Sequence, residues 1–515
     1  MNDVMGFGLA IAVVCGAGLL AVLSNRLSQR LRVPAPAIFL LGAAVASDLV
    51  PALGRMPVVT VQRVVTVALI VLLFDGGMHI GWRRFRSAAA PVTWIGVVGT
   101  FATTAGIAAL AHLLFGFGWL PALLLGTALA PTDPAVVFSV LGRREVSGRS
   151  GTLLEGESGA NDPVGIAAMA SLLAVGTAGG WHAVGAGLGE FALEMVVGTA
   201  AGLAGGWGLA VFMRRVPLPS GALYPLSTLA AAGVIYGGAT LAHGSGFLAV
   251  FIAGILIGDL RAPYKAEIER FHSSLASLGE IVAFTMLGLT VSLQQLAEGD
   301  AWLIGLGLAL LLTLIVRPVV VGLLLLPVRL RFGERLFVMW SGLKGAVPIL
   351  LGTYILTAHI PGAARMYDVV VVVVAFSVVV QGSLVPYVAR RTGVPMRTVE
   401  PEPWALSMRF RHEPAGMRRY VVSAGAPADG CTLGDLALGE DAWISFISRD
   451  GALVPVNRDT VLHAGDEVVV LADPSAQPDP KPLFGASPAG AHPHPPTHDL
   501  AIGRSTPSAA DAGQP

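Results

Sequence analysis

The chain has 515 residues, of which 54% are hydrophobic and 13% charged, with a mean hydropathy of +0.71. Soluble proteins carry about a quarter of their residues as Asp, Glu, Lys and Arg, so this composition excludes a water-solvated globule for most of the length and leaves a lipid-solvated one. Lys plus Arg and Asp plus Glu balance at 33 each, so net charge points to no nucleic acid and no acidic partner, and only the placement of charge is informative.

The N-terminus, MNDVMGFGLAIAVVCGAGLLAVLS, lacks a basic leader and stays apolar over a full membrane thickness, which reads as a retained helix and not a cleaved signal. Apolar runs long enough to span lipid then recur at 5–24, 34–51, 58–80, 91–115, 118–141, 155–176, 183–213, 222–243, 245–260, 274–297, 302–328, 336–358 and 367–388, about thirteen helices in all. Their continuity excludes a barrel, whose short strands would alternate. Basic residues follow the odd-numbered spans: Arg26, Arg30 and Arg32; Arg83, Arg84 and Arg86; Arg143, Arg144 and Arg149; Arg214 and Arg215; Arg261, Lys265 and Arg270; Arg329, Arg331 and Arg335; Arg390, Arg391 and Arg397. The alternate connections hold little that is basic beyond Arg55 and Arg365. The positive-inside rule therefore places the N-terminus outside and the C-terminus in the cytoplasm. Cys15 and Cys431 give no disulfide framework and no metal spacing, as suits a soluble part in a reducing compartment.

Past Arg397 the character changes. WISFISRDGALVPVNRDTVLHAGDEVVVLADP (443–474) has short β-rich runs and two tight-turn signals, as expected of a small cytoplasmic α+β domain. The remainder is Pro-, Ala-, Ser- and His-rich without periodicity and reads as a disordered tail. His492, His494 and His498 belong to that tail, and a solvated segment is a better reading of them than a metal site. The organisation expected is thus a transmembrane domain over 1–395, a cytoplasmic domain over 396–475 and a tail over 476–515.

A carboxylate in a transmembrane helix costs several kcal/mol unless it is paired or faces a cavity, so intramembrane charges mark function. The candidates are Asp75 in LLFDGGM, Asp133 in ALAPTDPAVV, Glu157 and Asp162 in GESGANDPVG, Glu280 in the tenth span, Arg317 in LTLIVRPVVV and Lys344 in SGLKGAVPIL. Glu190, Glu194 and Asp368 lie near apolar runs without a surrounding motif and read as helix-end or structural groups. Pro131 and Pro134 flank Thr132 and Asp133, so the fifth span must break and free backbone groups, which lipid permits only beside a cavity. Gly342, Gly345 and Pro348 interrupt the twelfth span, which runs the other way. Paired interruptions of opposite direction are the signature of an inverted-repeat transporter with its site at the midplane. Asp133 and Lys344 have the signs needed to balance the exposed half-helix dipoles.

In the sixth span, Ser158, Asn161 and Asp162 share one helix face and offer hard oxygen ligands around one titratable carboxylate. Glu157 lies to one side and reads as a structural partner for an arginine, Arg317 being the best placed. Asn161, immediately before Asp162, is an amide without a titratable proton. Were such a site to exchange H+ for a monovalent cation, one carboxylate neutralised by each in turn would be expected to give one-for-one, electroneutral exchange.

LFDGGM, APTDPAVV, GESGANDPVGI and SGLKGAVPI together resemble the sodium/proton and potassium/proton antiporters of the NhaP type, within the cation/proton antiporter superfamily. The segment from about 430 to 474 resembles the TrkA-C (RCK C-terminal) domain of the potassium/proton branch. The resemblance implies a polytopic α-helical membrane protein forming a homodimer, two broken helices at its core, K+ or Na+ and H+ as its transported partners, no cofactor and no resident metal. It implies Asp162 as the essential proton- and cation-binding carboxylate, Asn161, Ser158 and Thr132 as neighbouring ligands, Asp133 as the broken-helix acid, and Glu157 with Arg317 as a buried ion pair. Asp75 stands where many relatives carry glutamate. The C-terminal domain implies K+ over Na+, and a small-molecule regulator acting on the cytoplasmic side of a bacterial-type inner membrane.

Two other classes compete. Gly156-Glu157-Ser158-Gly159 matches the nucleophile motif of rhomboid-type intramembrane proteases, which would need His243 or His359 as a base within reach of Ser158. A ligand-gated channel would need a filter of free backbone carbonyls.

Overall fold

The computed structural model describes residues 33–141, 144–178, 180–260, 262–398, 417–436, 438, 442–449, 452–472 and 481–485. The first expected span at 5–24, with Cys15, Arg26, Arg30 and Arg32, lies outside the described residues, as do Arg261 and the histidines of the tail.

The apolar runs fold as helices in the order the hydropathy dictates. They are α1 (Ala35–Leu49), α2 (Val58–Thr93), α3 (Gly99–Phe115), α4 (Trp119–Leu129), α5 (Pro134–Leu141), and, after a short strand β1 (Arg144–Val146), α6 (Gly148–Ala178) and α7 (Gly180–Arg215). There follow α8 (Leu223–Leu241), α9 (Gly246–Gly258), α10 (Lys265–Gly288), the short α11 (Leu293–Glu298), α12 (Ala301–Leu311), α13 (Arg317–Leu324), α14 (Phe332–Trp340), α15 (Ala346–Thr357), α16 (Ala363–Phe376) and α17 (Gly382–Thr392). A strand β2 (Met396–Thr398) closes this unit by pairing antiparallel with β1. Five described helical stretches are long and apolar enough to cross a membrane: Val58–Phe115, Trp119–Leu141, His182–Arg215, Ala301–Leu324 and Ala363–Thr392. Wide π turns join α2 to α3 at Trp94–Val98, α12 to α13 at Leu312–Val316 and α16 to α17 at Ser377–Gln381. Such turns insert one extra residue per bulge and re-aim the side chains beyond it.

Several boundaries differ from those read in the sequence. The basic segment after residue 80 is helical and not a loop. α2 bends at Gly81, whose φ of +66° suits a residue without a side chain. The Asp259 carboxylate then accepts from Arg83 N at 2.5 Å and satisfies a backbone donor freed by the bend. The tenth span begins at Lys265 and not 274. Its first turns carry a Lys265 to Glu269 ion pair at 3.1 Å, so the helix extends past its apolar run as an amphipathic stub. The transmembrane unit also extends beyond 395. β2 is held to β1 by the register Arg144 to Thr398, Glu145 to Arg397 and Val146 to Met396, and Ser147 N donates to Pro395 O at 2.9 Å. Contacts divide the chain into compact units at 1–401 and 402–515.

Within the first unit, α4 packs between α3 and α6, and α15 packs against α4, α6 and α16. Leu124, Leu125, Leu129, Val136, Ile349 and Leu350 are completely buried at this centre. Two interrupted helices, α4 with α5 and α14 with α15, meet there.

The second unit is a four-stranded antiparallel sheet in the order β3 (Met417–Val421), β6 (Glu467–Ala472), β4 (Ala442–Arg449) and β5 (Ala452–Val454). Tyr420, Ile447, Val468 and Val470 bury one face. A helical turn α18 (Lys481–Phe484) completes that core inside the expected tail. Phe484 is fully buried with its ring 5.1 Å from Tyr420, and Ser423 N donates to its carbonyl at 3.0 Å. The unit therefore continues past 475, because an aromatic side chain beyond that point fills its core.

Candidate functional site

The first interruption leaves residues 130–133 outside α4 and α5, and the second leaves 341–345 outside α14 and α15. The two segments cross and bond: Asp133 N donates to Leu343 O at 2.8 Å. Gly345 makes the crossing possible, since a Cβ there would overlap the Asp133 carboxylate. Asp133 Oδ1 accepts from Ala135 N at 2.8 Å and so caps α5, an anion at the positive end of a helix. Lys344, 1% exposed, sends its Nζ to Ala130 O and Pro131 O, both at 3.0 Å. These are carbonyls left open at the C-terminal end of α4, where positive charge is favoured.

Arg317 does the same for the second interruption. Its Nε donates to Met339 O at 2.9 Å and its Nη2 to Val338 O at 3.2 Å, at the C-terminal end of α14. The rest of the guanidinium meets Glu157 in a two-pronged pair, Nη1 to Oε1 at 2.9 Å and Nη2 to Oε2 at 3.2 Å, with both side chains almost wholly buried. Gly342 gives the guanidinium its room, because a Cβ at that position would overlap it.

The sequence reading passed over two residues that brace this break. Lys344 N donates to Ser377 Oγ at 3.0 Å, Ser377 Oγ donates to Gln381 Oε1 at 3.0 Å, and Gln381 Nε2 donates to Trp340 O at 2.6 Å. The signal was present as a Ser and a Gln four apart in an otherwise apolar run. The π turn that re-aims them was not readable from composition.

On α6, Asn161 is engaged with the first break. Its Nδ2 donates to Thr132 Oγ1 at 2.8 Å, and Thr132 N approaches Asn161 Oδ1 at 3.4 Å. Ser158 is buried on the same face. Asp162 is 8% exposed. Among the described residues it accepts no hydrogen bond, and its charged neighbours are Asp133 and Lys344. Thr132, Asp133, Asn161, Asp162 and Lys344 thus come together at one place, and Glu157 of α6 with Arg317 of α13 closes the other broken helix.

Asp75 takes its bonds elsewhere. Ser273 Oγ donates to its Oδ1 at 3.1 Å, and His79 Nδ1 lies 3.4 Å from its Oδ2. Glu280 of α10 has Asp133 as its charged neighbour, and its buried Oε1 has no hydrogen-bond partner. His243 and His359 sit beyond the ends of α8 and α15 with φ of 59° and 55°, and neither bonds to Ser158. That removes the base a serine nucleophile would need. The carbonyls a channel filter would use are occupied by Lys344 and Arg317.

Residues 11–391 match the family model of the transmembrane sodium/hydrogen exchangers, and residues 417–480 match that of the TrkA-C domain. The chain is 32% identical over 481 residues to the K(+)/H(+) antiporter NhaP of Alkalimonas amylolytica, covering 92% of this chain and 82% of that protein. It is 31% identical to the K(+)/H(+) antiporter NhaP2 of Shewanella oneidensis, covering 91% and 82%. The sodium proton antiporter MjNhaP1 of Methanocaldococcus jannaschii has a similar fold, with a TM-score of 0.61 at 20% identity over 73% of this chain and 99% of that one. The relatives named are transporters and not enzymes. The chain belongs to the sodium/hydrogen exchanger family and carries a TrkA-C domain at its C-terminal end.

Proposed function

We propose that the chain exchanges a monovalent cation for H+ across the cytoplasmic membrane by alternating access, with Asp162 as the carboxylate that the two ions share. The observation that carries this reading is the isolation of Asp162. Nearby cations are committed, Lys344 to the α4 carbonyls and Arg317 to Glu157 and the α14 carbonyls. Asp162 is buried beside Asp133 and Lys344 and, among the described residues, accepts no hydrogen bond from either. Oxygens of Thr132, Asn161 and Ser158 are the cation ligands offered beside it, and Asp133 holds the broken-helix end. Asp75, bonded to Ser273, acts as a ligand only if α2 and α10 rearrange during the cycle.

K+ is favoured over Na+ because the NhaP and NhaP2 relatives are potassium/proton antiporters and the chain shares their TrkA-C domain. A sodium/proton relative, NhaH of Halobacillus aidingensis, matches 64% of this chain at 27% identity. With Asn161 in place of a second acid, one proton leaves for each cation bound, so exchange is electroneutral. The role is cytoplasmic cation and pH homeostasis, in a homodimer with the N-terminus outside. The cytoplasmic TrkA-C domain biases the transport equilibrium when its ligand binds.

Exchange by Asp162→Asn in vesicles is the test. An amide cannot carry a proton, so K+-driven proton movement falls to the level of empty vesicles while the variant inserts and folds normally. Wild-type rates in that variant contradict the assignment.

A further inference from the structure

An open groove of about 550 Å3 lies away from the ion site, where the end of α2, the first turn of α6 and the segment after α13 converge. Pro91, Trp94, Pro327 and Val328 form its walls, and Arg149 and Arg329 stand at its mouth. Among the described residues, no acidic one lines it. Both arginines are exposed, and among the described residues neither has a carboxylate or carbonyl partner. That contrasts with Arg317 and Arg335, whose guanidinium groups are bonded to backbone oxygens.

We propose that this groove binds the phosphate headgroup of an anionic phospholipid. Two unpaired guanidinium groups supply the charge complement of a phosphate diester, and Arg is suited to that geometry. The walls are apolar, which fits a glycerol backbone and the first chain carbons better than a free inorganic ion. Leu323 and Leu326, on the approach from α13, and Val98, in the π turn beyond Trp94, are exposed apolar residues, so the groove continues into a lipid-facing surface. Trp94 is 47% exposed, as expected of an indole at headgroup depth. Arg149 and Arg329 also belong to clusters that the charge pattern assigns to the cytoplasmic face, where anionic lipids draw basic residues. An occupied groove ties the first turn of α6, the helix that carries Asp162, to the ends of α2 and α13. The proposal does not depend on which ion is exchanged.

The test uses the full chain purified in a neutral detergent, with thermal unfolding followed as lipid is added. Phosphatidylglycerol raises the midpoint of the wild type saturably, and phosphatidylcholine does not. Arg149→Gln with Arg329→Gln weakens the phosphatidylglycerol response about thirtyfold. Arg214→Gln with Arg215→Gln, which removes the same charge elsewhere, leaves it unchanged. A double Lys substitution at 149 and 329 retains most of it, which separates lost charge from damaged folding. Equal losses in the two Gln variants would mean diffuse surface attraction and overturn the proposal. So would an unaltered response in Arg149→Gln with Arg329→Gln. Glycerol 3-phosphate or inorganic phosphate acting as strongly as the lipid would identify a soluble anion and overturn the lipid assignment.

Discussion

The two helix interruptions share an outline and differ in how they are held. At the second, Arg317 closes the α14 carbonyls and Glu157 in one fork, while Gln381 and Ser377 bond Trp340 O and Lys344 N. The Val338, Met339 and Trp340 carbonyls and the Lys344 amide there each have a side-chain partner. At the first, Lys344 and Asp133 meet the two helix ends, but the side facing α6 rests on Thr132 and Asn161, where one of the two bonds stretches to 3.4 Å. A bond of that length is close to the limit of the interaction, and Asp162 beside it has none. The difference separates a braced scaffold from a site with polar capacity to spare. An ion-exchanging centre needs the second kind, since ligands already saturated by protein cannot take up a cation.

Breaking the brace is expected to have the largest effect on stability. Arg317→Ala strands Glu157 and uncovers the Val338 and Met339 carbonyls, at a cost of about 3–5 kcal/mol. Glu157→Ala costs less, because Arg317 keeps its backbone bonds, and the double variant recovers part of the loss. Thermal unfolding and membrane yield report it; single variants that melt like the wild type would mean the second interruption is not the scaffold. Lys344→Ala opens two carbonyls at the first interruption, at about 2–3 kcal/mol. It is also expected to lower turnover more than its stability loss explains, since it removes a charge next to Asp162. A transport defect no greater than that of Glu157→Ala would erase the distinction between the two breaks.

The smallest expected effect lies in the sheet unit and shows what a charge pair does away from any transport site. Arg449 Nε and Nη2 each reach Asp466 at 2.8 Å, and His463 N adds a bond at 2.9 Å. The side-chain bonds from Arg449 hold the Asp466 carboxyl below its ordinary range. Its folded value is depressed, so the stabilisation is full above the unfolded value of about 4 and is lost as pH falls through the folded one. Arg449→Ala should cost about 1–2 kcal/mol at neutral pH and flatten that acid-side dependence. Hydrogen exchange of β4 and β6 in the full chain measures it, and an unchanged acid profile would contradict the pairing.

Much of this was legible in the sequence because membrane burial makes polar residues conspicuous. Pro131 and Pro134 announced the first break, and Lys344 and Asp133 had the charges its ends required. Glu157 and Arg317 are 160 positions apart, yet they could be paired because few other buried charges were available to either. What stayed hidden depended on geometry that hydropathy does not encode. The second role of Arg317, capping α14, follows from the π turn that precedes it. The bend at Gly81 is satisfied by Asp259, just past the end of α9 and far along the chain, so the basic segment looked like a loop. Asp75, in a motif of its own, was grouped with the site residues, and in the structure its carboxylate accepts from Ser273. Phe484 lay in a stretch whose composition suggested disorder, and only the packing of β3 reveals its place.

The central claim is that one carboxylate, Asp162, carries either a proton or a cation. It is tested most directly by adding K+ to the purified chain in weakly buffered solution, near the midpoint of its transport profile, and counting protons released per cation bound. One proton per cation in the wild type, and none from Asp162→Asn, is the predicted result. Cation binding by the wild type without proton release, or undiminished release from Asp162→Asn, would contradict it.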